Sequence, residues 1–176
     1  ELTSLTIYAK RIEEQDYSLM KSCLRRLMKM KLESYELQLC NIQGKLFELS
    51  LKKGYSSENF IRAFMQSKVA ESLDSLYDRL QWAGEEYILE ELEDEVKLDY
   101  GKTYDKEVLY WIGYIYRYWH YYTGESSKEI FRIADGKTMN YCWLGYHTYD
   151  AQMAIEELKN DFSSQYNQIL KPMSFE

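Results

Sequence analysis

The sequence predicts an all-α protein, an irregular bundle of about seven helices around an aromatic-rich helix over 104–123. Three observations carry this. There is one proline, Pro172, and only eight glycines in 176 residues, so long helices meet few breakers. Apolar residues recur at spacings of three and four along most of the chain. No stretch shows the period-two alternation of a strand bounded by turns, and there is no internal repeat or low-complexity tract. The length suits a single domain over 1–176, with 1–33 as a projecting or dimerising N-terminal helix.

The elements follow in order. Leu2, Leu5, Ile12, Tyr17, Met20, Leu24, Leu27 and Met28 predict a helix over roughly 3–32. Tyr35, Leu39, Ile42, Leu46, Phe47 and Leu49 predict another over 34–52, continuous with the first or bent near Glu33–Ser34. Lys52-Lys53-Gly54 is a stop: cations in the last turn, then a glycine able to take positive φ. Ser56 and Ser57 can cap a short helix over 58–66, with Phe60 and Phe64 on one face. Ser67 caps a helix over 68–81, its inward stripe Val69, Ala70, Leu73, Leu76, Tyr77 and Leu80. Gln81 to Gly84 reads as a connection. A helix over 85–97 follows, with Tyr87, Ile88, Leu89, Leu92 and Val96 on its apolar side and Glu85 and Glu86 at its positive end.

After a polar break at Asp99–Thr103 comes the aromatic helix. Val108, Ile112, Ile115, Trp119 and Tyr122 form one stripe; Tyr110, Tyr114, Arg117, Tyr118 and Tyr121 form another. A helix apolar or aromatic on two stripes wants neighbours on both sides. Gly113 inside it costs about 1 kcal/mol relative to alanine, which predicts a second helix crossing closely there. Ser126 and Glu129 form a capping box for a short helix of Ile130, Phe131, Ile133 and Ala134, ended by Gly136. Thr138–Trp143 reads as one more turn and Gly145–Tyr149 as a loop. Asp150 caps a last helix over about 151–169, with Met153, Ala154, Leu158, Phe162, Tyr166 and Ile169 inward.

Charge and cysteines bound the function. A net charge of −7 disfavours nucleic acid, whose phosphates must be neutralised by Lys and Arg. Lys21, Arg25, Arg26, Lys29 and Lys31 make the first helix basic, either as a solvated face or as a docking surface for acid, including the carboxylates of 85–95. Those carboxylates fall on many faces and do not converge as cation ligands must. Cys23, Cys40 and Cys142 have neither disulfide-framework nor zinc spacing and read as reduced thiols of a cytoplasmic protein. No signal peptide or bilayer-spanning run is evident. No metal or cofactor is expected.

Three sites compete. Tyr110, Tyr114, Arg117, Tyr118 and Tyr121 form either core or a partner-binding groove, since Tyr and Arg are enriched in binding hot spots. Arg117 and His120, three apart on one face, have the chemistry to bind phosphate and move a proton, as in a metal-independent ribonuclease. HEPN-type toxin nucleases separate those residues by four to six positions, against two here; the structural alternative is a cation–π contact for Arg117 and a satisfied His120. Residues 126–144 resemble the entry to a helix–turn–helix, although the second helix lacks cations for phosphates or guanine edges.

Phe60-Ile61-x-x-Phe64-Met65-x-Ser67, Tyr77-Asp78-x-Leu80 and Gly84-x-Glu86-Tyr87-Ile88-x-Glu90 resemble small uncharacterised helical domains of gut and soil Firmicutes. Those domains are associated with gene clusters that also carry an ADP-ribosyltransferase-like toxin. The resemblance covers about 35–97, and Tyr110–Gly124 and Ser126–Glu129 look like a C-terminal extension of longer relatives. It implies an accessory or antitoxin-like bacterial protein and transfers no catalytic residue. The leading expectation is a non-enzymatic helical interaction module, plausibly an antitoxin, with a protein partner encoded nearby. A DNA-binding regulator using 126–144 and a ribonuclease are the alternatives. Residues 3–32 offer a surface for homo-oligomerisation.

Overall fold

A computed structural model describes residues 31–169, together with Tyr17, Met20, Lys21, Cys23 and Leu24, all five helical. Most of the helix expected over 3–32 therefore lies outside the described residues, as do the proposed oligomer surface and the cations Arg25, Arg26 and Lys29. Lys31 to Glu33 are not helical, so the helix that starts at Ser34 is not continuous with the residues before it. Among the described residues there are eight α-helices, against the seven expected, and no strand beyond one isolated antiparallel bridge between Tyr55 and Tyr100.

Helix α1 runs Ser34–Lys53 and ends on Gly54 at φ 79°, as the Lys-Lys-Gly stop predicts. Its first turn is closed by the Glu33 N–H donating to Glu36 Oε2 at 2.8 Å. Helix α2, Ser57–Gln66, places Phe60 and Phe64 in the core, where both meet the edge of Phe47 from α1 at 5.4 and 5.3 Å. Ser57 does not cap α2; its Oγ accepts the Tyr104 N–H at 2.9 Å and so ties the polar break to the start of α2.

Helix α3, Lys68–Asp74, is capped by Ser67, whose Oγ accepts the Ala70 N–H. It stops seven residues short of the expected Gln81. Ser75 is extended, and Asp78 accepts the Leu80 N–H to start a separate 3-10 turn over Arg79–Trp82. Tyr77, expected inward, is exposed as a result. Helix α4 runs Glu85–Glu95, with Ile88, Leu89 and Leu92 buried and Tyr87 partly exposed. Its Glu95 caps α3 from outside, accepting from the Lys68 and Val69 N–H groups at 2.8 and 3.1 Å.

Helix α5, Lys106–Thr123, packs on α1 and on the three helices that follow it. The crossing with α1 is as close as Gly113 predicts: a Cβ there would lie 2.5 Å from the Gln43 carbonyl oxygen. Helix α6, Ser127–Ile133, has the expected capping box. Gly136 begins α7, Gly136–Tyr146, and does not end α6. Asp135 caps α7 by accepting the Thr138 N–H, so the single turn expected at 138–143 is a full helix of eleven residues, which accounts for the higher helix count. Helix α8, Ala151–Ile169, is capped by Asp150. It buries Ala154, Ile155 and Leu158, while Met153 and Phe162 lie nearer the surface than expected.

Candidate functional site

The most elaborate polar arrangement lies where the last two turns of α5 meet the end of α3. The three-residue spacing puts Arg117 and His120 on one face of α5, and both point inward. Arg117 is 1% exposed. Its Nε donates to Gln43 Oε1 at 2.8 Å, and its Nη1 donates to the Leu73 carbonyl at 3.0 Å and to Asp74 Oδ1 at 2.8 Å. Nη2 is buried and has no hydrogen-bond partner. Gln43 itself is buried and uses its Nε2 on the Gly113 carbonyl, so one side chain joins the helix crossing to the guanidinium.

Asp74 is the counter-charge. It also accepts from the Ser127 N–H at 2.7 Å and from Ser127 Oγ at 2.8 Å, which fastens the start of α6 to the end of α3. Burial pushes the Asp74 carboxyl up, but His120, Arg117 and the two Ser127 hydrogen bonds outweigh it and hold the carboxyl below its ordinary value. His120 is 8% exposed, with Nδ1 2.9 Å from the Glu125 carbonyl oxygen and 3.7 Å from Asp74. Burial dominates this ring and lowers its pKa despite Asp74. At neutral pH the ring is therefore neutral, and Arg117 supplies the charge that keeps Asp74 ionised. Glu125 completes the corner: its carboxylate accepts from Trp119 Nε1 and from Lys159 Nζ of α8, each at 2.6 Å.

Above this cluster opens a cleft of about 260 Å³. Tyr35, Asp74, Tyr77, Gln81, His120 and Tyr121 are among its walls, and Lys21 lies at its edge, bonded to Glu36 at 3.3 Å.

The five residues expected to form a partner groove do not form one open surface. Arg117 and Tyr118 are buried, and Tyr118 Oη accepts from Gln152 of α8. Tyr110 and Tyr114 are half-buried and stack along α5 with centroids 6.1 Å apart. Tyr121 lies under the Arg117 guanidinium at 5.9 Å, the cation–π contact that sequence reasoning weighed against catalysis.

The large exposed rings are elsewhere. The most exposed are Trp82 at 87%, Tyr141 of α7 at 86% and Tyr77 at 83%; Trp82 and Tyr77 share the 75–84 segment between α3 and α4. The exposed carboxylates Glu86, Glu90 and Asp94 follow at spacings of four along α4, with no cation within ion-pair distance among the described residues. Glu91 and Glu93 of the same helix are answered by Arg79 and Lys53. The expected attraction between this acid and the basic first helix is not found for Lys21, which pairs with Glu36. Trp82 could have been picked out from its place in a Gln-Trp-Ala-Gly connection, where no helical stripe claims it.

In the 126–144 segment, Lys128 and Lys137 face Glu71 and Glu58 at 3.3 and 3.5 Å, and Arg132 is exposed. Among the described residues no group of His, Cys, Asp or Glu has the arrangement of a metal site, and no helix is long and apolar enough to cross a membrane. The chain is thus an all-α protein defined by its own geometry. No family model, curated protein or solved structure matches it.

Proposed function

We propose that this protein is a non-enzymatic interaction module, the antitoxin or accessory member of a bacterial toxin–antitoxin or defence locus, acting in the cytoplasm. In this reading α5 is the helix around which the bundle is organised, supported by its burial against α1, α6, α7 and α8. The binding face is the 75–84 segment with α4. The carrying observation is Trp82, held at 87% exposure on a capped turn beside three unanswered carboxylates. A ring of that size gains by burial against a partner, and it costs little to order because the turn is already fixed. The acidic stripe selects a basic partner and speeds encounter with it. Inhibition would work by occlusion, the Trp82–Tyr77 edge covering the partner's site.

Two features weigh against the other readings. A phosphate-binding arginine must reach solvent, and Arg117 is consumed by Gln43, Leu73 and Asp74. Two of the three cations on α6 and α7 face carboxylates, which leaves little for DNA phosphates.

Co-purification from the native host, with mass spectrometry of the eluate, is the test. A basic partner is expected, lost on Trp82→Ala and weakened at high salt. A protein that elutes alone and fails to rescue cells from a neighbouring toxin refutes the proposal.

A further inference from the structure

The cleft above Asp74 and His120 adjoins that binding face and shares Tyr77 and Gln81 with the 75–84 segment. Its chemistry is set by two acceptors. His120 Nδ1 lies 2.9 Å from the Glu125 carbonyl oxygen, which can only accept, so the neutral ring carries its proton on Nδ1 and keeps a lone pair on Nε2. Nε2 has no hydrogen-bond partner among the described residues, although the ring is 8% exposed and lines the cleft. It is not among the buried polar atoms sealed without a partner, so water or a ligand donor reaches it from the cleft. Gln81 is the second. Its Nε2 donates to the Leu73 and Ser75 carbonyls, which fixes the amide with Oε1 as the remaining acceptor, and no donor reaches Oε1 among the described residues. Beside these acceptors stand tyrosine rings, of which Tyr77 has most area to lose to a ligand.

Size and charge narrow the occupant. About 260 Å³ lies just below the usual range of ligand pockets, roughly 300 to 1,000 Å³, and so fits only a small ligand. The charged groups on its wall are Asp74, paired with Arg117 beneath it, and Glu36, paired with Lys21, so no unpaired cation is offered to a phosphate.

We propose that this cleft binds a neutral planar nitrogen heterocycle of nucleobase size, free or as its nucleoside, which presents an N–H edge to His120 Nε2 and Gln81 Oε1 and a face to Tyr77. The unphosphorylated form binds in preference to the nucleoside monophosphate.

The test is a titration of the full chain with adenosine, guanosine, cytidine and uridine, and with their monophosphates, followed through the imidazole resonances by NMR. The chain has two histidines, and His147→Gln assigns the second. One of the four should move the His120 signals saturably and leave those of His147 in place. Tyr77→Ala, at an exposed position that cannot disturb the core, should weaken binding about tenfold through lost stacking. Gln81→Leu should weaken it further. No shift of His120 with any of the four up to their solubility overturns the proposal. So does binding undiminished in both variants, or tighter binding of the monophosphates.

Discussion

Replacing Gly113 by alanine should destabilise the protein, although alanine is the better helix former. The built Cβ would sit 2.5 Å from the Gln43 carbonyl oxygen, 3.0 Å from its carbonyl carbon and 2.9 Å from Phe47 Cγ. Ordinary contact begins near 3.4 Å, so the crossing of α1 and α5 must open by roughly 0.9 Å. Two of the three obstructing atoms are backbone of a buried helix, and no rotamer change relieves them. Opening also strains the bond from Gln43 Nε2 to the Gly113 carbonyl and, through it, the hold on Arg117. Overpacking costs about 1–3 kcal/mol, here toward the upper end, against a gain of about 1 kcal/mol from helix propensity. The net loss is about 2 kcal/mol, which lowers the melting temperature by about 4–8 °C in a chain of this size. Gly145→Ala is the paired control. It lies in the last turn of α7 with no atom within 4 Å of the added methyl, so only the propensity gain applies and the melting temperature should rise by up to about 4 °C. Gly44→Ala is intermediate: the nearest atoms, at 2.8 Å, belong to the half-buried Tyr110 ring, which can turn aside, but the Tyr110 carbonyl oxygen at 3.0 Å is backbone and cannot. Calorimetry or urea unfolding reads all three. A Gly113→Ala protein as stable as wild type, or shifts of one sign for positions 113 and 145, would refute the close-crossing argument.

Other outcomes follow from the cluster and its surroundings. Asp74→Asn leaves the buried Arg117 without its counter-charge and should cost about 3–5 kcal/mol in urea unfolding; a loss under about 1 kcal/mol would mean that the pair is not formed in solution. Stability should decline as the pH falls through 6.5. The pKa of His120 is lowered in the fold, so the unfolded chain takes up the proton first; the contribution is complete above 6.5 and is lost below it. The groups facing the ring are Asp74, Arg117 and the Glu125 carbonyl, with Glu36 further off, and their balance leaves burial dominant. A second decline, from Asp74, begins below its ordinary 3.8, because that carboxyl too is held low. His120→Gln should flatten the urea midpoint between pH 7 and 5; an unchanged slope would assign it elsewhere, with His147 the chain's only other histidine. Glu95→Ala should cost about 1 kcal/mol through the lost cap on α3, with solvent exchange of the Lys68 and Val69 amides accelerated in NMR.

Local chemistry was legible wherever the signal was itself local. Gly54, Ser67, the Ser126–Glu129 box and Asp150 all act as their residue types predict, and the cost of Gly113 correctly announced a crossing. The errors arose where a distant residue decides. The stripe Val69, Leu73, Leu76, Leu80 continues in sequence beyond Asp74, but the helix does not. Its Leu73 carbonyl and Asp74 carboxylate are taken by Arg117, more than forty residues later, and no spacing rule connects them. Asp78 two residues before Leu80 is a readable restart, and Asp135 three before Thr138 is a readable cap; in both cases a neighbouring apolar run or glycine masks the signal. For the site, the shared face of Arg117 and His120 could be read from sequence. Its direction, into the core and onto Asp74, could not.

A guanidinium buried this deeply is an expensive way to fill a core. An apolar side chain of similar volume often serves stability as well or better. What an apolar residue cannot do is choose among positions, because packing is non-directional and these hydrogen bonds are not. Arg117 and Asp74 together hold four parts of the chain: Gln43 in α1, the end of α3, the start of α6 and α5 itself. Helix α3 stops where Arg117 takes the Leu73 carbonyl and the Asp74 carboxylate, Ser75 is extended, and the proposed binding face and the cleft both lie at that stop. Had α3 run on to Gln81, Tyr77 would lie on its inward stripe, Trp82 would not stand on its own capped turn, and Gln81 would not reach back to the Leu73 carbonyl at the cleft. The pair therefore serves placement more than stability. Asp74→Asn and Trp82→Ala separate the two contributions, since the first should impair partner binding by letting the 75–84 segment move, and the second should impair it with the melting temperature unchanged.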